Sequence, residues 1–179
     1  MTTKTKTQER DHIDRFLDEI RDVLPMIDLE VEGLVDRIVG LSRRFLRALD
    51  ETLAEFNLDN AEWKLIGLLT RCGDLHRSSP SKLARMMELS SGAMTNRLDR
   101  LEEAGLIRRL PDPNDRRGIQ VEVTEEGRHL YEATVGVQAK KEALVAAALS
   151  DAEKKQLNAL LRRMMLEFER AEGSPGQDC

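Results

Sequence analysis

Apolar residues recur three or four positions apart over most of the chain, which is the spacing of amphipathic helices. Two such stripes cover residues 11–24 and 29–56, with a proline between them. A third helix is predicted to run from an Asp59/Glu62 capping pair to about Arg71. The pattern predicts a mainly α-helical protein.

The middle of the chain has two shorter helical segments in close succession. A Ser-Pro pair at 79–80 is a typical helix start, and this helix is predicted to end near Met87. Either Ser90 or Ser91 caps the next helix, which ends at Gly105. Four of its residues are predicted to face the core: Met94, Leu98, Leu101 and Ala104.

After Gly105 the spacing changes from helical to alternating. LIRRL (106–110) and GIQVEV (118–123) alternate like strands, and the turn-forming run PDPNDRRG joins them in a predicted β-hairpin. Helices resume after Thr124 and again after Ser150, up to about residue 170. Two short helices followed by a two-stranded ribbon form the plan of a winged helix-turn-helix.

The predicted domain organisation places this DNA-binding lobe at residues 59–123, between helices from both chain ends. Residues 11–58 and 124–170 have more apolar surface than one small lobe can cover, which favours a helical dimerisation region shared by a homodimer. Residues 1–10 and 171–179 are expected to be disordered tails.

Composition indicates a soluble cytoplasmic protein. Of 179 residues, 40% are hydrophobic and 34% are charged, an ordinary globular balance. The longest apolar run, ALVAAAL at 143–149, is far shorter than the roughly 20 residues of a membrane span. The polar N-terminus does not resemble a secretion signal. We therefore expect no membrane partner.

Charge is unevenly distributed. The net charge is −5, yet the segment from Arg77 to Gly118 holds nine basic and six acidic residues and is therefore +3. A basic segment within an acidic protein indicates a surface for an anion such as double-stranded DNA.

The chemistry of these residues suits DNA. Serine and threonine hydroxyls at a helix N-terminus contact phosphates, while Asn96 can pair with adenine and Arg97 with guanine or a phosphate. Arginines at a ribbon tip can enter the minor groove, and Asp115 can orient one guanidinium. The alternatives are a capped surface helix and a solvated hairpin. The predicted DNA contacts are Ser79, Ser81, Ser90, Ser91, Gly92, Thr95, Asn96, Arg97, Arg100, Asp115, Arg116 and Arg117.

The run SSGAMTNRLDRLEEAGLIRRLPDPNDRRGIQVEVTEEG (90–127) resembles the signature of MarR-family transcriptional regulators. The resemblance implies an obligate homodimer with winged lobes, bound to pseudo-palindromic DNA. It also implies a repressor that a small anionic or phenolic effector releases. It places Ser90 to Arg97 in the major groove and makes Asp115 and Arg116, with Arg117 beside them, the wing pair.

The additional helix at 11–24 is most similar to the urate-responsive, HucR-like branch of that family. That branch has a tryptophan in the added helix and an aspartate after an aromatic residue in the third helix. Here the added helix lacks tryptophan, and Lys64 follows Trp63, a departure that argues against urate. Lys64 suits a carboxylate ligand, and His76 lies in the link to the winged lobe. Trp63, Lys64 and His76 are therefore the candidate effector residues.

Other signals and other classes of protein remain alternatives. Cys72 beside a helix end is a candidate redox switch, although Cys179 is too distant in sequence to form a disulfide framework with it. His12, His76 and His129 have no metal-ligand spacing, so we expect neither zinc nor a resident cofactor. No phosphate loop or nucleophile motif indicates an enzyme. A winged-helix architectural module without an effector stays possible.

Overall fold

The computed structural model describes residues 9–72, 76–113 and 115–173. Helices predominate and a small antiparallel sheet lies among them, so the predicted fold class is confirmed. The predicted tails fall largely outside the described residues, and the last helix ends two residues later than predicted. The elements are α1 His12–Ile20, α2 Leu29–Glu55, α3 Asn60–Arg71, β1 Arg77–Ser78, α4 Pro80–Met86, α5 Ser91–Glu103, β2 Ile107–Asp112, β3 Asp115–Val123, α6 Glu125–Ala146 and α7 Asp151–Glu172.

Residues up to Arg47 form one compact unit, which contains α1 and most of α2. The guanidinium of Arg37 donates to Asp11 (3.0 Å) and Asp14 (2.6 Å), and this fork ties the two helices together. A hydrogen bond from the backbone N–H of Asp14 holds the pKa of Asp11 at about 2, against a smaller opposing effect of desolvation and with help from Arg37. A Cβ on Gly33 would lie 2.9 Å from a leucine methyl of α1, so the two helices approach each other closely here.

Helix α1 ends at Ile20, four residues before the predicted end. The N–H groups of Val23 and Leu24 both donate to the Ile20 carbonyl, so an irregular turn follows the helix. Pro25 disfavours helical geometry at Leu24, so the chain does not resume the helix after this turn.

Residues from Ala48 onward form a second compact unit with its own core. As predicted, Met94, Leu98 and Leu101 of α5 are buried, whereas Ala104 is exposed because it is the C-cap and lies beyond the last helical turn. Burying such side chains stabilises the lobe by about 1.5–3 kcal/mol each. The core consists of Leu53, Leu58, Leu65, Ile66, Leu69, Leu83, Ala84, Met94, Leu98, Leu101, Ile107, Val121 and Val123.

The sheet has three strands in the order β1-β3-β2, one more than predicted. The additional strand β1 is only two residues long, with Arg77 opposite Glu122 and Ser78 opposite Val121. Two residues cannot show an alternating pattern, so the sequence carried no signal for this strand.

The hairpin is longer than predicted, because most of the segment at 111–118 is strand and not loop. Pro111 pairs with Ile119, and Asp112 pairs with Asp115 across a register irregularity. Strand β2 lies at the edge of the sheet, where a proline without an N–H removes no ladder hydrogen bond. The paired strands therefore extend as far as Asp112 and Asp115.

The predicted helix starts are confirmed by their capping hydrogen bonds. Ser90, and not Ser91, caps α5, while Ser79 caps α4 and Thr124 caps α6. A capping box with Ser150 begins α7. None of the helices in the described part of the chain is long and apolar enough to cross a membrane.

Candidate nucleic-acid interface

The first turn of α5 is exposed, and only some of its polar side chains form hydrogen bonds within the helix. The Ser90 hydroxyl accepts the N–H of Ala93 at 3.2 Å, and the Thr95 hydroxyl donates to the Ser91 carbonyl at 2.9 Å. The side chains of Ser91 and Asn96 are exposed and make no hydrogen bond to any described residue. These two side chains are therefore available to an external partner.

Two predicted DNA-contacting arginines of α5 are directed to the start of α3. Arg97 lies 3.4 Å from a carboxylate oxygen of Asp59, and Arg100 lies 3.1 Å from one of Glu62. Glu62 is only 2% exposed, and its other oxygen accepts the backbone N–H of Asp59 at 2.9 Å. The capping box of α3 therefore also holds α5 in place.

At the base of the wing, one carboxylate joins two arginines from the neighbouring strands. Glu122 of β3 accepts hydrogen bonds from Arg108 of β2 and from Arg77 of β1, the latter at 2.9 Å. The hydrogen bond from Arg108, opposed by burial and assisted by Arg77, lowers the pKa of Glu122. This row of charges braces all three strands.

A second ion-pair group connects the wing to α5. The guanidinium of Arg109 donates to Asp99 at 2.6 Å and also to Glu102, which in turn accepts the Arg109 backbone N–H at 2.8 Å. These contacts join the start of β2 to the second half of α5.

At the wing tip the arginines have no such partners. The Asp115 carboxylate accepts the backbone N–H of Arg117 at 2.9 Å, so it shapes the turn. The prediction was that Asp115 orients a guanidinium, but it makes no ion pair with any described arginine. The side chains of Arg116 and Arg117 are exposed and make no ion pair within the described ranges. These two guanidinium groups are therefore available to an external anion.

The ion pairs divide the nine basic residues of the segment 77–118 into two groups. Five arginines pair with carboxylates, whereas four cations make no ion pair in the part of the chain that the structure describes: Lys82, Arg85, Arg116 and Arg117. Lys82 and Arg85 lie on α4 and were not predicted as contacts. Ser81 and Arg85 are four residues apart on one face of α4, and this spacing was visible in the sequence.

The candidate effector residue Trp63 is engaged in packing. Its indole N–H donates to the Thr134 hydroxyl at 2.9 Å, and its ring centroid lies 5.5 Å from that of Tyr131. These contacts join α3 to α6. Lys64, the next residue, is exposed.

The other candidates for sensing occupy the end of α3 and the link to β1. Cys72 is 6% exposed, which is unlike the accessible thiolate that redox sensing needs. His76 is partly buried with a left-handed backbone (φ 50°), and its carbonyl accepts the Val123 N–H at 3.4 Å. No group of three or more potential metal-ligating side chains occurs among residues 9–72, 76–113 and 115–173.

A polar cavity of about 600 Å³ lies between α1 and the start of α2. Carboxylates outnumber arginines in its lining, so an anionic effector is disfavoured there. Its charged lining residues are Glu9, Asp11, Asp14 and Glu30, with Arg10 and Arg37.

Comparison with known proteins agrees with this architecture. A sequence profile of the MarR family matches residues 62–119. The chain is 32% identical over 144 residues to the HTH-type transcriptional regulator PecS of Dickeya dadantii, covering 80% of this chain and 87% of PecS. The chain belongs to the MarR family. It is a transcriptional regulator and not an enzyme, as predicted.

Solved structures of this family share the fold. Wild-type MarR of Escherichia coli in its apo form is 28% identical with a TM-score of 0.60, covering 72% of this chain and 94% of MarR. A mutant MarR complexed with operator DNA is 26% identical with a TM-score of 0.57, covering 81% and 96%.

Proposed function

We propose that this MarR-family protein is a cytoplasmic, effector-responsive repressor that binds a pseudo-palindromic operator as a homodimer. The proposal rests on one observation: some basic residues of the segment 77–118 make ion pairs with carboxylates, and others do not. Ion pairs fix the arginines at the base of the wing and in the second half of α5. The cations of the wing tip and of α4 make no ion pair with any described residue.

The first turn of α5 supplies the base-reading surface in this proposal. Ser91 and Asn96 are exposed without hydrogen bonds to described residues, and an asparagine amide matches the two hydrogen-bonding atoms of adenine in the major groove. Ser90 and Thr95 contribute less through their side chains, because both hydroxyls already bond to the helix backbone.

Arg97 and Arg100 act as positioning residues for α5. Their guanidinium groups lie 3.4 Å from Asp59 and 3.1 Å from the buried Glu62, and breaking the second pair would leave a buried carboxylate without its cation. Contacts with bases would have to compete with these ion pairs.

Phosphate contacts are assigned to Arg116 and Arg117 at the wing tip and to Lys82 and Arg85 on α4. Each is a cation without an ion pair in the described part of the chain, so neutralising a phosphate breaks no existing pair. Ser81 lies on the same exposed face of α4 as Arg85.

The effector is proposed to be a small anion or phenol. Lys64 supports this choice, because it is an exposed cation on α3 beside Trp63, whose neighbours tie α3 to α6. Binding must favour one spacing of the two lobes over the other, since equal affinity for both shifts nothing.

Fluorescence anisotropy on DNA from the region beside this protein's own gene, with scrambled DNA as the competitor, tests the function. We expect selective binding with a steep salt dependence, and loss of binding on addition of benzoate or phenol. Equal affinity for scrambled DNA at every salt concentration would overturn the proposal. Selective binding that no small anion or phenol affects would overturn only the effector.

The first variant is Arg116→Ala. Loss of one phosphate contact should reduce the slope of log K against log salt by about 1 and weaken binding to all sequences alike. Arg15→Ala is the matched control, because Arg15 is also exposed and unpaired within the described residues but belongs to α1. Equal slopes for the two variants would contradict a wing that contacts DNA.

A further inference from the structure

At two glycines within the described helices, no contact within the chain excludes a side chain. A Cβ on Gly33 would lie 2.9 Å from a leucine methyl, and one on Gly67 would lie 2.6 Å from a tyrosine ring. A Cβ on Gly127 would lie 2.1 Å from a backbone carbonyl oxygen. For Gly92 in α5 and Gly136 in α6, no atom lies within 4 Å of the added Cβ.

Gly92 is the second residue of α5, and its backbone does not have the left-handed conformation that favours glycine. It is also exposed. Alanine is a better helix former than glycine, and a helical position that accepts a Cβ without strain gains stability from it. Folding of this chain alone therefore favours a residue other than glycine at position 92.

We propose that Gly92 sets how deeply α5 enters the major groove, and is thus a specificity-determining residue. The inference rests on the proposed function, in which α5 reads bases. Gly92 and Asn96 are four residues apart on one helix face, and both are exposed. A side chain at position 92 would rise from the surface that carries the Asn96 amide.

The physical reason is the short range of base recognition. The side-chain amide of Asn96 recognises adenine only with donor–acceptor distances near 2.7–3.2 Å. A methyl group added beside this amide would hold the helix away from the base edges. The arginine side chains at the wing tip are long, so they can adjust to a small displacement of the protein and keep their contacts with DNA phosphates. Selective binding should therefore fall, while binding to unrelated DNA should not.

Gly92→Ala tests this inference, and Gly136→Ala is the matched control once sedimentation shows that it keeps the assembly of the wild type. Both substitutions add one methyl group in open space to an exposed helical position. Both should raise Tm by about 1–4 °C. Only Gly92→Ala should lower operator affinity, by about tenfold or more, with unchanged affinity for scrambled DNA and an unchanged salt slope.

A larger side chain makes the test graded. Gly92→Leu should lose more operator affinity than Gly92→Ala, and sedimentation with circular dichroism should show that both variants keep the assembly and helix content of the wild type. Wild-type selectivity in Gly92→Ala, or no further loss in Gly92→Leu, would overturn the inference. A wild-type protein that does not distinguish the operator from scrambled DNA would instead overturn the proposed function.

Discussion

The winged lobe and helix α7 use similar aliphatic side chains with opposite results. In the lobe, Leu65, Ile66 and Leu83 are completely buried and pack into one core. In α7, which spans 22 residues, no residue is buried, and Leu160, Met165 and Phe168 are 47%, 59% and 63% exposed. One region completes its core within a single chain, and the other does not.

The difference identifies where a second copy is needed. Monomeric proteins rarely expose contiguous apolar patches as large as a whole helix face. We therefore assign α7 to the homodimer interface. The winged lobe has a complete core within one chain and should not need the second copy for its stability. Substitutions in the core of the lobe and on the apolar face of α7 should therefore differ in how their effects depend on protein concentration.

The largest effect is expected from a charge placed on the apolar face of α7. Leu161→Glu should abolish the dimer, because an unpaired carboxylate would be buried against the second copy. Sedimentation velocity at micromolar concentration should show a monomer, and selective DNA binding should be lost with it.

The matched control is Gln156→Glu, which adds the same charge at an exposed position of α7 away from Leu161. It should remain a dimer. A Leu161→Glu protein that sediments as a dimer and melts like the wild type would show that the apolar face of α7 is not the interface.

A smaller loss is expected from a cavity in the lobe. Leu65→Ala should destabilise the protein by about 2–5 kcal/mol, because Leu65 is 0% exposed in the core. This loss should be the same at every protein concentration, as measured by chemical denaturation.

Leu166→Ala provides the contrast on α7. Leu166 is 41% exposed in the single chain, where truncation should change stability by less than about 0.5 kcal/mol. If a second copy covers it, the loss should be larger and Tm should depend on protein concentration. A small, concentration-independent loss would place Leu166 outside the interface.

An effect smaller than that of Leu65→Ala is expected at the base of the wing, and it depends on pH. Hydrogen bonds from Arg108 and Arg77 lower the pKa of Glu122 from its ordinary 4.5, opposed by partial burial. A lowered carboxylate pKa gives stability that is full above the ordinary value and is lost as the pH falls through the folded value. Glu122→Gln should therefore cost about 1–3 kcal/mol at pH 7.

Thermal melts between pH 7 and pH 3 measure this dependence. The Tm difference between the wild type and Glu122→Gln should shrink as the pH falls below 4.5. Glu132→Gln, at an exposed glutamate without an ion pair in the described residues, should show no such difference. A pH-independent difference would mean that packing, and not the charge of Glu122, stabilises the wing.

Local chemistry explains which elements were predictable. The capping pairs beginning at Asp59 and Ser150 and the cap at Ser79 each involve residues three positions apart, so their signal is contained in a short stretch. The apolar face of α5 follows from helical spacing in the same way. The family signature covers one continuous run, and it therefore gave the class of regulator.

Contacts between distant segments explain what was missed. Strand β1 pairs with residues about 45 positions later, and its two residues have no pattern of their own. The turn-forming residues at 111–118 indicate a loop, but pairing with β3 extends the strand through Pro111 because β2 is an edge strand.

The amino-acid sequence alone determined the helices, the winged order and the residue types that can meet DNA, because these depend on neighbours within a few positions. Tertiary structure decided which cations are available. Arg97 pairs with a carboxylate 38 positions away and Arg109 with two carboxylates of α5, whereas Arg116 makes no ion pair in the described part of the chain. Ion pairing requires charges within a few ångströms of each other, and only the folded chain sets those distances.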